Sequence, residues 1–363
     1  MCTIAIDTSS AEKKERTGVE EYSFQIIERL KELAVVGDNQ LVLYSRTTLK
    51  WPFKRFWLQG RVTWELFRRP PKVFFVPAQA LPFFIAKKIK VVTTIHDVGF
   101  SRRPDLYPPA EVRRQNSATK RAVRRADLIF TPSEFTKQEL ISLFRAKAEK
   151  IIVTPLAADT TRFKIRTKEE VEASLEKYRL SYKNYFLFVS RLDAKKNPLL
   201  IVKSFEEVKN KMGFGDPLRL VFAGPPGYRF EEVRQAIKIS SAKDFITGLG
   251  YVSPEDLPFL MSGALALVSP SHYEGFGLPL LEAAAAGTPV IASNIPAHQE
   301  VMGEAARLVA IDQPETWPAA MLELAKDTSL AAEFSAKGLE QAKKFSWSKT
   351  TDQTWSALIN LIH

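Results

Sequence analysis

Short apolar runs alternate with helical patterns along this chain, and that alternation constrains the fold more than any other feature. Continuous apolar runs without polar alternation are typical of strands buried on both faces, as in parallel sheets covered by helices. The pattern therefore predicts doubly wound α/β domains. In the first half of the chain the runs are TIAID (3–7), LVLY (41–44), VFFV (73–76), VVTTI (91–95), LIFT (128–131) and IIVT (151–154).

The alternation pauses at the proline-containing stretch 154–163 and then restarts. The second set of runs is YFLFVS (185–190), LRLVFA (218–223), DFITG (244–248), ALALVS (264–269) and TPVIAS (288–293). Two sets predict two domains, 1–163 and 164–345, followed by a closing helix over 346–363 that is placed against the N-terminal domain. Because ligands bind at the carboxyl ends of strands in such sheets, two domains predict a site in the cleft between them.

Composition excludes several classes of protein. The 363 residues include one cysteine, Cys2, so an intramolecular disulfide framework is excluded and a cysteine-based zinc site is disfavoured. The opening MCTIAID runs straight into polar residues, unlike a signal peptide. No apolar run reaches the ~18 residues of a transmembrane helix. We therefore expect a cytoplasmic protein.

The charge is concentrated in the first domain. Residues 1–163 carry 29 Lys and Arg against 17 Asp and Glu, whereas residues 164–363 carry 23 against 24. Such an excess suits an anionic partner, either membrane headgroups or nucleic acid, or a basic face kept for solubility. The apolar stretch 73–86 is interpreted as a buried strand plus a loop, or as a loop that touches lipid. We predict peripheral contact with the inner face of an anionic membrane, and no nucleic acid.

The first motif with chemical content is SRLDAKKN (190–197). It follows an apolar run and precedes a helical pattern, which places Arg191 and Lys196 at the carboxyl edge of the sheet beside a helix N-terminus. Two cations and unpaired backbone N–H groups at such a position make a phosphate site.

The second motif is SHYEGFGLPLLEA (271–283), which also leads from a strand into a helix. Gly275 and Gly277 allow the backbone to approach a ligand, and Pro279 fits a first helical turn. Glu274 and Glu282 are not there to pair with neighbours in sequence, because residues 251–300 contain no Lys or Arg. Carboxylates beside backbone N–H groups suit a polyhydroxy, phosphorylated ligand.

These motifs resemble a known family. EGFGLPLLEAAAAGTPVIAS (274–293) and SRLDAKKN are similar to the donor-site signatures of the retaining family 4, or group 1, glycosyltransferases. The resemblance implies a GT-B architecture, in which two Rossmann-like domains face a central cleft and bind acceptor and donor respectively. It also implies transfer of a hexose, of the mannose or glucose type, from GDP-mannose or a UDP-hexose such as UDP-glucose to a glycan or lipid-linked acceptor.

The resemblance assigns roles in the C-terminal half. Arg191 and Lys196 match the pair that neutralises the donor diphosphate, Glu274 the acid near the hexose, and Glu282 the acid that holds the ribose hydroxyls. Residues matched to the remaining contacts with sugar, phosphate and nucleobase are Gly275, Phe276, Gly277, Leu278, Tyr251 and Val252.

In the N-terminal half, Gly18 resembles the glycine that approaches the diphosphate, and His96 resembles the histidine at the sugar side of the cleft. His96 could instead be a hydrogen-bonded core histidine, and Gly18 could only mark a helix start. The run TGVEEY (17–22) departs from the family, which often has two glycines and a basic residue there. It leaves open whether Glu20 or Glu21 meets the acceptor.

Two aspartates never stand two residues apart in this sequence, so the Asp-x-Asp metal motif is absent. We therefore expect no metal requirement and no cofactor. Two alternatives remain at this stage: a sugar-nucleotide epimerase of the same fold, and a non-catalytic nucleotide-sugar binding module.

Overall fold

The computed structural model describes residues 3–13, 15–36, 40–51 and 56–362. The chain forms two compact units. The first unit consists of Met1–Arg102, Pro109–Leu156 and Ser346–His363, and the second consists of Arg103–Pro108 and Ala157–Phe345. Each unit is built on a six-stranded parallel sheet, and helices connect successive strands except β3 and β4, which an irregular loop joins, so the predicted doubly wound α/β class is confirmed.

The sheet of the first unit has the strand order β2-β1-β3-β4-β5-β6, with all neighbours parallel. Its strands are β1 (Thr3–Asp7), β2 (Gln40–Tyr44), β3 (Val73–Val76), β4 (Lys90–Thr94), β5 (Leu128–Thr131) and β6 (Ile151–Val153). Their ends differ from the predicted ones by a single residue at most. β3 and β5 are buried along their whole length, as expected of strands covered on both faces.

The sheet of the second unit has the order β12-β11-β10-β7-β8-β9. Its strands are β7 (Tyr185–Val189), β8 (Arg219–Ala223), β9 (Ile246–Gly250), β10 (Ala266–Ser269), β11 (Val290–Ser293) and β12 (Arg307–Val309). The sequence pattern did not reveal β12, because this edge strand has three residues and begins with the exposed Arg307. Phe186, Phe222 and Trp317 belong to the buried core of this unit.

Helices follow the strands in both units. They are α1 (Gly18–Val36), α2 (Thr63–Arg68), α3 (Gly99–Arg102), α4 (Pro109–Arg125), α5 (Glu134–Phe144), α6 (Lys168–Leu175), α7 (Pro198–Met212), α8 (Phe230–Ile239), α9 (Leu257–Gly263), α10 (Leu278–Ala285), α11 (Pro296–Met302), α12 (Thr316–Lys326), α13 (Thr328–Ala342) and α14 (Trp347–Asn360). A π-helical turn, Trp57–Val62, precedes α2. Ser133 is the N-cap of α5, because its hydroxyl accepts from the Thr136 N–H at 3.0 Å. No described helix is both long and apolar enough to cross a bilayer.

The C-terminal helix α14 belongs to the first unit and packs against α1. The Trp347 ring lies 6.1 Å from the Tyr22 ring, and the Arg29 guanidinium lies 5.7 Å from the centroid of the same indole. The Thr350 hydroxyl donates to the carbonyl of Pro155. The last helix therefore completes a core that the first residues of the chain begin.

The main segment of the second unit begins at Ala157, whereas the sequence predicted residue 164, and the short segment Arg103–Pro108 also belongs to this unit. The intervening stretch is tied into the second unit: Arg162 donates to the Pro254 carbonyl at 2.8 Å, and Phe163 is buried. Pro155 and the polar residues that follow it resemble a linker, but hydrogen bonds to distant residues decide where this stretch belongs.

Candidate functional site

Lys196 and Glu274 form a half-buried ion pair in the second unit. Lys196 lies in a short 3-10 turn after β7, and Glu274 lies in the loop after β10. Because β7 and β10 are neighbours in the sheet, their carboxyl ends bring the two loops together. Side-chain exposure is 17% for Lys196 and 11% for Glu274, so both charges are largely withdrawn from water.

The surroundings of Glu274 keep it ionised. The Ser271 hydroxyl donates to its Oε1 at 2.7 Å. Burial alone raises the pKa of Glu274, but the attraction of Lys196 and Lys195 outweighs burial and lowers the pKa to about 2. The carboxylate is therefore charged throughout the physiological range, and it can accept hydrogen bonds but cannot donate a proton.

The loop that carries Arg191 and Lys196 is held by the end of β8 and the loop that follows it. Three backbone hydrogen bonds join them: Ser190 N–H to Ala223 O at 3.1 Å, Leu192 N–H to Pro225 O at 3.0 Å, and Ala194 N–H to Tyr228 O at 3.0 Å. The Arg191 side chain is exposed. α7 then starts with Pro198 in its first turn, as a helix N-terminus favours.

Gly224 and Gly227 allow these two loops to approach closely. A Cβ on Gly224 would lie 1.9 Å from the Ser190 carbonyl oxygen, and a Cβ on Gly227 would lie 2.0 Å from Oδ1 of Asp193. These glycines are more than turn residues, because they permit the contact that fixes the basic loop.

The glycine-rich stretch before α10 is also buried and well packed. Gly277 caps α10 with φ 104°, a backbone conformation that favours glycine. Phe276 packs edge-to-face on Phe345, with ring centroids 5.7 Å apart. Leu278 opens the helix and Pro279 lies in its first turn, as the motif predicted, and Glu282 is buried within the helix.

Tyr251 and Val252 follow β9, at the same carboxyl edge of the sheet as the two loops. Gly250, the last residue of that strand, accepts the Gly224 N–H at 2.7 Å. Tyr251 is exposed and Val252 is half-buried. Strand β8 separates this position from Lys196.

The two predicted site residues of the first unit have different environments. His96 follows β4; its Nε2 lies 3.1 Å from the Pro77 carbonyl, and its ring meets Tyr22 edge-to-face at 4.7 Å. Burial lowers the pKa of His96, so the ring is neutral at pH 7. Gly18 is the first residue of α1, and no atom lies within 4 Å of the place where its Cβ would be.

Both acids that follow Gly18 lie in the first turn of α1 and have cationic neighbours in the segment just before the helix. Glu20 pairs with Lys13 at 2.5 Å and accepts from the Thr17 hydroxyl. Glu21 lies 3.2 Å from the Arg16 guanidinium. Local ion pairs thus explain why two acids follow the glycine.

Sequence reasoning missed His298, which lies on α11 and is fully buried. Its ring borders Gly277, since a Cβ there would lie 3.2 Å from His298 Cδ2. The only sequence signal was Pro296 at the start of an unassigned helix. Within the described part of the chain, no cluster of three or more His, Cys, Asp and Glu side chains could hold a metal ion.

Two family models match the chain: Glycosyl transferases group 1 over residues 171–341 and Glycosyltransferase Family 4 over residues 18–162. The chain is 32% identical over 297 residues to O-antigen chain mannosyltransferase B of Escherichia coli, covering 82% of this chain and 76% of that protein. It is 28% identical over 337 residues to O-antigen chain mannosyltransferase RfbU of Salmonella typhimurium, covering 85% of this chain and 87% of that protein.

Among solved structures, Anabaena HepE in complex with UDP-glucose matches with a TM-score of 0.76 at 16% identity, over 99% of this chain and 100% of that chain. That likeness shows the fold, which is GT-B. Together with the family models and the mannosyltransferase relatives, it shows that the chain belongs to the family 4, group 1 glycosyltransferases. The protein is a glycosyltransferase, and neither alternative, epimerase or binding module, gains support from these relatives.

Because the two loops approach so closely, we predict that a single methyl group added at Gly224 destabilises the fold. Gly224→Ala should lower the free energy of unfolding by about 1–3 kcal/mol or more, because its Cβ would overlap a backbone carbonyl. Gly215→Ala is the matched control, since no atom lies within 4 Å of its Cβ position. Thermal unfolding measures both. Equal melting midpoints for the two variants would show that the loops can move apart without cost.

Proposed function

We propose that this glycosyltransferase moves a mannose- or glucose-type hexose from a nucleotide-diphosphate sugar to a glycan or lipid-linked acceptor in polysaccharide biosynthesis, with retention. GDP-mannose and UDP-glucose are the candidate donors. The half-buried Lys196–Glu274 pair, with the exposed Arg191 on the same loop as Lys196, carries the proposal, because these groups offer an anion site and a hydroxyl acceptor at one sheet edge. The names of the O-antigen mannosyltransferase relatives favour mannose.

Lys196 and Arg191 would stabilise the diphosphate as it leaves. An ammonium group has three N–H donors, so Lys196 can hold Glu274 and still donate to a phosphate oxygen. Negative charge grows on that oxygen in the transition state, and one well-placed donor of this kind is worth about 2.7–4 kcal/mol. The Ser271 hydroxyl also holds the carboxylate of this pair, which would limit reorganisation during the reaction.

The remaining residues of the second unit would orient the donor. Glu274 is charged and can only accept hydrogen bonds, which suits a hydroxyl of the hexose. Glu282 would accept from the ribose hydroxyls in the same way. Backbone from Gly275 to Leu278 would contact sugar and phosphate, while Tyr251 and Val252 would flank the nucleobase. The roles predicted for Gly18 and His96 in the first unit stay predictions.

Retention is proposed to follow from attack on the same face as the leaving group. The bond between the anomeric carbon and the β-phosphate oxygen breaks, and a bond to the acceptor oxygen forms on that face. The acceptor's proton passes to the departing phosphate oxygen, which balances the step without an enzymatic base. No carboxylate nucleophile of the kind used by retaining glycosidases is assigned.

A donor panel tests this function. In the presence of EDTA, GDP-mannose or UDP-glucose should give nucleotide release that rises when a lipid-linked oligosaccharide is added, since no metal is proposed. Chromatography of nucleotide and sugar products provides the measurement. Acceptor-independent release with an altered free sugar would identify an epimerase, binding without release would identify a binding module, and rescue by Mn²⁺ would reveal a metal requirement.

The diphosphate assignment has a separate test. Arg191→Ala and Lys196→Ala should each lower kcat at least about tenfold, because each removes a donor to developing charge. Lys203→Ala, an exposed lysine on α7, is the matched control. Arg191→Ala should also melt like the wild type, since its side chain is exposed. If both folded variants turn over at the wild-type rate, the phosphate site is wrongly placed.

We also propose that the first unit binds an anionic membrane surface. Two of its segments, 56–69 and 83–88, expose both aromatic and basic side chains; these are Phe56, Trp64, Phe67, Arg68, Arg69, Phe83, Phe84, Lys87 and Lys88. Gln59 joins the segments, since its amide donates to the Leu81 carbonyl at 3.3 Å and accepts the Phe83 N–H at 2.6 Å. Exposed aromatics rimmed by cations are typical of surfaces that enter lipid headgroups.

Vesicle co-sedimentation tests the membrane surface. The protein should bind anionic vesicles more strongly than neutral ones, and salt should weaken the binding, because each engaged cation contributes about 1 kcal/mol that ions screen. The double variant Phe67→Ser, Phe84→Ser should bind at least about tenfold more weakly. Ile239→Ser, equally exposed but in the second unit, is the control. Equal binding to both lipids, or no binding at low salt, would show that the basic face does not bind membranes and serves only solubility.

A further inference from the structure

His298 is a buried histidine whose two ring nitrogens are in unlike environments. Its relative exposure is 0%. Nδ1 lies 3.0 Å from the carbonyl oxygen of Ser293 and 3.2 Å from the hydroxyl of the same residue. Nε2 is buried and has no hydrogen-bond partner among the described residues.

The partners of Nδ1 fix the tautomer. A carbonyl oxygen only accepts, so Nδ1 must carry a proton. The Ser293 hydroxyl donates its own proton to the Ser271 carbonyl at 2.6 Å, which leaves it as a second acceptor for Nδ1. Burial lowers the pKa of His298 to about 4, against the attraction of Glu274, so the ring is neutral at pH 7. Nε2 therefore presents a lone pair and requires an N–H or O–H donor.

That lone pair lies beside the glycine-rich stretch of the donor motif. The position that a Cβ on Gly277 would occupy is 3.4 Å from Nε2. Glu274, which lies three residues before Gly277, attracts the protonated ring electrostatically and so acts to raise the His298 pKa. Leaving a buried acceptor without a partner costs free energy, and such atoms in native proteins call for an explanation.

We propose that His298 is a specificity-determining residue, whose Nε2 accepts a hydrogen bond from a hydroxyl of the donor hexose. The inference rests on the proposed function. An anionic phosphate oxygen is excluded as the partner, because it has no proton to give to a lone pair. The matching ligand chemistry is an O–H group, which a sugar hydroxyl or a single bound water supplies.

Two substitutions distinguish the role of Nδ1 from the role of Nε2. The amide of Asn in His298→Asn can replace the Nδ1–H donor to Ser293 but cannot reach as far as Nε2. His298→Gln places a carbonyl oxygen nearer the Nε2 position. We expect His298→Asn to raise the Kd for GDP-mannose or UDP-glucose about tenfold, as for the loss of one buried hydrogen bond, and His298→Gln to recover part of that loss. Binding of GDP or UDP alone should not change.

Donor analogues that lack one hydroxyl show whether Nε2 accepts from a sugar hydroxyl or from a water. GDP-mannose and UDP-glucose analogues lacking one hydroxyl each are titrated against wild type and His298→Asn by calorimetry. One deoxy analogue should bind wild type about tenfold more weakly, yet bind His298→Asn as tightly as the parent donor does. Equal penalties for every analogue in both proteins would mean that Nε2 holds water, and would overturn the inference.

Nitrogen NMR of wild type with labelled histidine covers the case in which His298→Asn does not fold. The unprotonated Nε2 resonance should shift when the sugar nucleotide binds and stay in place with the nucleotide alone. An unshifted resonance in both titrations overturns the inference. Failure of GDP, UDP and both sugar nucleotides to bind wild type would instead contradict the proposed function, so the two failures are distinguishable.

Discussion

The ion pair between Lys196 and Glu274 is the interaction on which the second unit's site depends. Taking two charges out of water costs several kcal/mol per ion, and the cost is offset only when geometry and extra hydrogen bonds are good. Ser271 donates to the carboxylate, and Lys195 adds a second positive charge nearby. Because the partners come from loops after neighbouring strands, the pair fixes both loops relative to the sheet.

Backbone contacts between the loops set the positions of the charged groups in that pair. Gly224 and Gly227 let the end of β8 and the loop that follows it form three hydrogen bonds with the basic loop, and Gly277 leaves room beside His298. A methyl group would overlap a carbonyl oxygen at Gly224 and a carboxylate at Gly227, whereas at Gly277 the φ of 104° disfavours any side chain. The motif's glycines are therefore parts of the site's geometry, in addition to turn-forming residues.

The sequence was informative where local pattern decides the structure. Apolar runs marked eleven of the twelve strands, and their ends placed Lys196 and Glu274 at one edge of a sheet. The missed features depend on distant contacts. Strand order follows from pairing across the sheet, the unit boundary at Ala157 follows from hydrogen bonds such as Arg162 to Pro254, and His298 is defined by Ser293 and Gly277 around it. A lone histidine in a polar stretch carries none of that information.

The place of α14 has a consequence for the order in which the molecule assembles during translation. All residues of the second unit precede residue 346, whereas the first unit includes Ser346–His363. The C-terminal unit can therefore finish folding while the N-terminal one still lacks the helix that covers Tyr22 and the Pro155 carbonyl. Domains generally fold in the order of synthesis, whereas here the first unit needs residues that are made after the whole second unit. A stop before residue 346 would thus damage the part of the protein that the ribosome makes first.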